Sequence, residues 1–70
     1  MKIFYDKEVD AAYISISDEK PSAAIKVAEG VFVDLTADKH VVGIEILDAS
    51  QKVPLRSLFT VEFDSELVEA

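Results

Sequence analysis

Asp34 and Glu45 are the two residues of this chain best placed to do chemistry together. Each lies in a stretch of alternating apolar residues, Val31-Phe32-Val33-Asp34-Leu35 and Val42-Gly43-Ile44-Glu45-Ile46-Leu47, that reads as a strand. Folding the chain back at Asp38-Lys39 sets Asp34 opposite Gly43 and puts Glu45 on the diagonal, within about 8 Å. Carboxylates that close push their pKa values apart, which suits general acid–base or metal chemistry. The plainer reading is a solvated sheet face on which Asp34 bonds a local partner and Gly43 leaves room for another group to approach. Asp6, Glu8 and Asp10 form a second set, spaced one, three, five as in a calcium loop. An EF-hand would also need Gly at position 11 and an acid near position 17, where this chain has Ala11 and Ser17. Carboxylates capping N–H groups in a strand connection account for Asp6 and Asp10 with fewer demands. No nucleophile–base pair is visible: His40 falls in a turn, the serines are dispersed and cysteine is absent. Gly30 and Gly43 stand alone, so no phosphate-cradling loop is expected, and no cofactor.

The elements that must hold these residues start with the hairpin of residues 31–47. The fold-back pairs Thr36 with Val41, Leu35 with Val42, Val33 with Ile44 and Val31 with Ile46. Because side chains alternate along a strand, Val31, Val33, Leu35, Val42, Ile44 and Ile46 gather on one face, a core-forming surface. Two-residue type I′ turns need positive φ at both central positions, which Lys39 disfavours, so a four-residue loop over Ala37 to His40 is expected. The other face carries Phe32, Val41 and Leu47, with Tyr13 from another strand, where a wet face should be polar. Tyr13, Phe32, Val41 and Leu47 are therefore the candidate partner-contact surface. The competing explanation is cover by the chain's own C-terminal segment.

Earlier in the chain, residues 2–5 form a short apolar run ended by Asp6. Ala11 to Ser17 alternates with Ala12, Ile14 and Ile16 on one side, a half-buried strand. Pairing of these two runs would make Tyr5 and Tyr13 neighbours. Ala23 to Val27 is a weaker strand whose Lys26 suits an edge, and Glu29-Gly30 is a turn. Asp48-Ala49-Ser50-Gln51 has the look of a helix start with Asp48 as N-cap and Gln51 three residues on. Pro54 either ends that turn or opens a second. Leu55, Leu58 and Phe59 have the spacing of a short helix that covers the sheet. Phe59, Val61 and Phe63 alternate as in a strand, while Leu55, Leu58, Phe59, Phe63 and Leu67 also fit one helical face. The β-branched Thr60-Val61 favours the strand. The expected fold is mostly β: an antiparallel meander of four to five strands with a short C-terminal helix packed on one face, residues 1–70 forming a single domain.

Composition narrows the function. Seventy residues hold one core, and half of them are hydrophobic, so the chain is not disordered. A domain of this size buries only about 60% of its unfolded surface and often leans on a disulfide, a metal or a second chain. With no cysteine and one histidine, oligomerisation or a protein partner is the expected support. Fourteen acidic against seven basic residues give a charge of −7, the wrong sign for nucleic acid or an anionic membrane surface. A basic protein partner fits that charge. The opening Met-Lys-Ile-Phe-Tyr-Asp is no signal peptide, and no apolar run nears the roughly 20 residues of a membrane span, so a cytoplasmic protein is expected.

Lys2-Ile3-Phe4-Tyr5-Asp6, Asp10-Ala11-Ala12-Tyr13-Ile14, Val33-Asp34 and Val42-Gly43-Ile44-Glu45-Ile46-Leu47-Asp48-Ala49-Ser50 together resemble the small bacterial family of domain of unknown function 2283. The resemblance spans roughly residues 1–52 and implies a small, mostly β domain. It implies no activity; some relatives look like the smaller partner of toxin–antitoxin-like pairs. This chain departs from the pattern in having Ala12 where Leu is common, and Asp38-Lys39 in the hairpin turn. The function expected is a non-enzymatic protein–protein interaction module, as a homodimer or an antitoxin-like subunit. A small metal-dependent or acid–base enzyme using Asp34 and Glu45 is the alternative.

Overall fold

The computed structural model describes residues 1–64. Five antiparallel strands form one sheet: β1 (Lys2–Asp6), β2 (Ala11–Ser15), β3 (Ala23–Ala28), β4 (Val31–Leu35) and β5 (Val41–Leu47). A short helix, α1 (Ala49–Lys52), and a 3-10 turn, η1 (Leu55–Phe59), follow. The fold is mostly β, as the alternation along the chain implies. The spatial order is β1-β2-β5-β4-β3, so β5 slots between β2 and β4 instead of lying at an edge as sequential order in a meander requires. Two locally formed units, β1–β2 and β3–β4–β5, are joined along β2–β5.

The central hairpin pairs Val31 with Ile46, Val33 with Ile44 and Asp34 with Gly43, as the fold-back requires. Beyond Asp34 the register shifts, and Leu35 meets Val41 rather than Val42. The cause is the loop. Thr36 and His40 close around three residues: Thr36 N–H donates to the His40 carbonyl at 2.9 Å, and Lys39 N–H to that of Thr36 at 2.9 Å. Lys39 takes a left-handed φ of 66°. A three-residue loop asks for one such position where a two-residue turn asks for two, so lysine is tolerated. The loop is thus one residue shorter than expected. The odd residue is absorbed as a bulge at Val42, whose carbonyl accepts from the N–H groups of Ile16 (2.8 Å) and Ser17 (3.1 Å).

The inner face holds the core. Ala12, Ile46 and Ala49 are buried, with Tyr5, Ile14, Ile44, Leu55 and Leu58 packed around them. Ala12 pairs with Ile46 and Ile14 with Ile44, so the core straddles the β2–β5 junction, and η1 covers it through Leu55 and Leu58. The small side chain of Ala12 lets the cover approach closely. The cover is partial: every residue of β3 is exposed, including Ile25 and Val27. The strand expected from Thr60-Val61 is absent. Phe59 ends η1, and residues 60–64 carry no strand, because a strand needs a ladder and none of the five strands pairs with them. Leu67, counted above on a helical face, lies outside the described residues.

Candidate functional site

The outer face is built by register. Phe4 pairs with Tyr13, Tyr13 with Glu45, Glu45 with Phe32 and Phe32 with Lys26, forming one row across all five strands. Tyr5 pairs with Ala12 and so faces the core. The expected Tyr5–Tyr13 neighbours therefore sit on opposite faces, and Phe4 is the aromatic beside Tyr13. The reason is the four-residue turn at positions 7–10, which gives a register that places residues of unlike parity opposite each other. Phe4 was missed for that reason; the parity of the β1–β2 turn is the signal that finds it.

In the next row Ser15, Gly43 and Asp34 are aligned. Tyr13 leans diagonally over Gly43, and its hydroxyl donates to Asp34 Oδ2 at 2.9 Å. A Cβ on Gly43 would collide with the Tyr13 hydroxyl and ring and lie 2.9 Å from the Ile14 carbonyl oxygen. The space at Gly43 is thus filled by an aromatic ring rather than by a ligand. Burial, the bond to Asp34, and the charges of Asp34 and Glu45 all raise the Tyr13 phenol above the ordinary tyrosine range. Asp34 and Glu45 do lie on one face, but the Asp34 carboxylate is engaged by a phenol held in its neutral form. Of the candidate contact residues, Tyr13 and Phe32 are half-buried, while Leu47 is 38% and Val41 41% exposed. Val41 sits opposite Leu35 at the bulge, away from the aromatic row. Phe4 is 56% exposed and extends that row at its β1 end. The C-terminal elements pack on the other face, so among the described residues no helix covers this one.

Asp6 and Asp10 serve the turn between β1 and β2. Asp6 Oδ1 accepts from Glu8 N–H at 2.9 Å. Asp10, at a left-handed φ of 53°, accepts from the Tyr5 hydroxyl (2.7 Å), the Ser50 N–H (3.0 Å) and the Ser50 hydroxyl (2.6 Å). Its carbonyl also takes the Ala49 N–H at 2.9 Å. Asp10 is therefore the cap of α1, supplied from 40 residues away. Asp48 occupies the N-cap position but makes no capping bond, since its φ of 51° turns the side chain off the helix axis. The Ser50 and Tyr5 hydroxyls and the Ser50 N–H hold the Asp10 carboxyl below the usual range, and the bond to Asp10 raises the Tyr5 phenol. Both Asp10 oxygens are taken by protein donors. Among the described residues no three acidic or histidine side chains converge as a metal site. His40 stands in the hairpin loop with Nδ1 3.3 Å from the Glu19 carboxylate, bridging two loops.

A shallow depression of about 200 Å³ lies at the sheet end between Met1, Lys2, Ser15, Ile16, Ser17 and Asp18. It is smaller than the roughly 300–1,000 Å³ of ligand pockets. None of the described helices is long and apolar enough to cross a membrane.

No curated protein and no solved structure matches this chain. Residues 2–50 do match a family model, and they contain the whole sheet, the Tyr13–Gly43–Asp34 crossing and the Asp10–Ser50 cap; by that match the chain belongs to the family described as protein of unknown function (DUF2283).

Proposed function

We propose that this chain is a non-enzymatic protein-interaction module, a subunit whose outer face is its contact surface. One observation carries the reading. Phe4, Tyr13, Phe32 and Leu47 share a sheet face that no helix among the described residues reaches. An aromatic strip at a sheet surface matches the composition of interface centres, where aromatic residues are enriched. The overall dimensions agree. The accessible surface is 5619 Å², roughly 1,300 Å² more than a compact monomer of this mass exposes. One partner of a standard interface contributes only about 800 Å². The radius of gyration is 13.2 Å, against about 11 Å for a compact chain of this length.

The outer-face occupant is a basic protein, because that face itself carries Asp34 and Glu45 and the net charge of −7 attracts a cationic body. This is the antitoxin-like form of the reading, with the basic partner encoded beside this chain. Co-expression with the product of the neighbouring gene should give a complex that survives gel filtration. Phe32→Ser should weaken it more than tenfold. A partner that binds the Phe32 variant equally well, or no complex at all, sinks the assignment of this face.

A further inference from the structure

We infer that residues 60–63 of one copy add as a sixth strand to the β3 edge of a second copy, giving a reciprocal pair. The inference rests on the reading of the chain as an interaction module and supplies its self-association mode. Two unsatisfied features of the chain fit each other. β3 is a sheet edge with all six residues exposed, and among the described residues no strand lies beside its outward N–H and C=O groups. η1 ends on an exposed Phe59 (77%), and the residues after it expose Val61 (55%) and Phe63 (78%), three apolar residues at alternate positions. Thr60 already has strand dihedrals, φ −127° and ψ 124°.

The side chains match in one register. β3 presents Ile25 on the inner face, beside Val33, and Lys26 on the outer face, beside Phe32. Setting Val61 opposite Ile25 in an antiparallel ladder brings Phe63 to Ala23, a large residue to a small one; at its other end the ladder stops short of Val27, where the β3 register shifts, and of Phe59, which closes η1. The apolar residues then extend the half-covered inner face. Glu62 falls opposite Ala24 and diagonal to Lys26, within reach of a long side chain. Among the described residues Lys26 pairs with Glu29, at 2.7 Å, with side chains 54% and 91% exposed, a pair worth little. Lys26 also works against the obvious competitor, because two β3 edges meeting about Ile25 would bring their lysines together, whereas the acidic tail is welcomed. The chain's own edge is a poorer target: η1 packs through Leu55 and Leu58 on the Ala12–Ile46–Ala49 cluster at the β2–β5 junction, with β4 between β5 and β3. One tail and one edge per copy close a two-fold pair.

The chain has no cysteine, so thiols report the contact cleanly. Ala24→Cys and Glu62→Cys proteins, mixed at equal concentration and mildly oxidised, should join mainly as the mixed disulfide, since paired strands bring Cα atoms within bonding range. No enrichment of the mixed species overturns the inference. So does a doubly substituted chain that closes on itself as a monomer. In light scattering, Val61→Pro should raise the dimer dissociation constant at least tenfold, with an unchanged thermal transition at dilutions where the parent is monomeric, and Val61→Thr should leave the constant near the parent value. A dimer that survives Val61→Pro but dissociates with Phe32→Ser removes the edge pairing and leaves the outer-face reading standing. A monomeric parent at several hundred micromolar also removes it, and leaves the basic partner to its own test.

Discussion

Gly43 shows how one missing side chain organises a face. Tyr13 crosses it to reach Asp34, so adding a methyl group there displaces the ring and breaks the bond. Gly43→Ala should destabilise the fold by about 1–3 kcal/mol in urea unfolding. The cost should shrink in a Tyr13→Ala background but not vanish, because the Ile14 carbonyl still crowds the methyl; strict additivity would contradict the crossing. Tyr13 also carries a pH signature. Its folded phenol is raised, so the neutral form is favoured by folding. That contribution is present below the ordinary tyrosine value and lost as pH rises through the raised one. Tyr5 and Tyr13 are both raised, so Tyr13→Phe should remove about half of the 295 nm absorbance change that titrates above the ordinary tyrosine value; a lost component that titrates at the ordinary value would contradict the bond. The pairing of Asp34 with Gly43 was legible in the sequence, because a hairpin's register follows from its turn and its alternation. The reach of Tyr13 was not. It depends on β2 lying beside β5, and nothing within Ala11–Ser17 names that neighbour.

At the level of elements, the helix α1 is the clearest case of a local reading that found the position and misassigned the cause. Asp48-Ala49-Ser50-Gln51 does begin a helix, but the carboxylate that caps it is Asp10. A capping residue in sequence and one brought in by the fold satisfy the same N–H groups, and only the first leaves a spacing pattern. Two substitutions separate them. Asp48→Gly should cost nothing beyond about 0.5 kcal/mol, since glycine adopts φ 51° freely and no capping bond is lost. Asp10→Asn should lower the thermal midpoint at neutral pH. Its folded carboxyl is depressed, so the stability it lends is present above the ordinary aspartate value and is lost as pH falls through the depressed one. The gap between parent and Asp10→Asn should therefore close on acidification; a gap constant from pH 7 to strongly acidic pH would contradict the cap. The tail beyond Phe59 illustrates the other limit: alternation reports what a segment can do beside a ladder, and no ladder among the described residues receives it.

For the whole molecule, the charge of −7 spread over a single-layer sheet is a source of self-repulsion. The Lys26–Glu29 ion pair and the His40–Glu19 contact are exposed and offset little of it. Screening should therefore stabilise: the urea midpoint should rise between 10 mM and 500 mM sodium chloride, and a fall would show that attractive pairs dominate. The fold class and the greasy inner face were legible because both follow from period-two patterning. The strand order was not, since any of the apolar strands could have flanked β5 equally well.

That order has a consequence for how the molecule holds together. Ala12, Ile46 and Ala49 all lie along the β2–β5 junction, and the 16–22 connection that bypasses it contributes nothing to the core. Cleaving the chain between Lys20 and Pro21 should yield two peptides that are each unstructured, yet recombine on mixing into a native-like complex. In the intact chain, amide deuteration along Tyr13 and Glu45 should proceed only through complete unfolding, whereas β3 should exchange through fraying of its own edge.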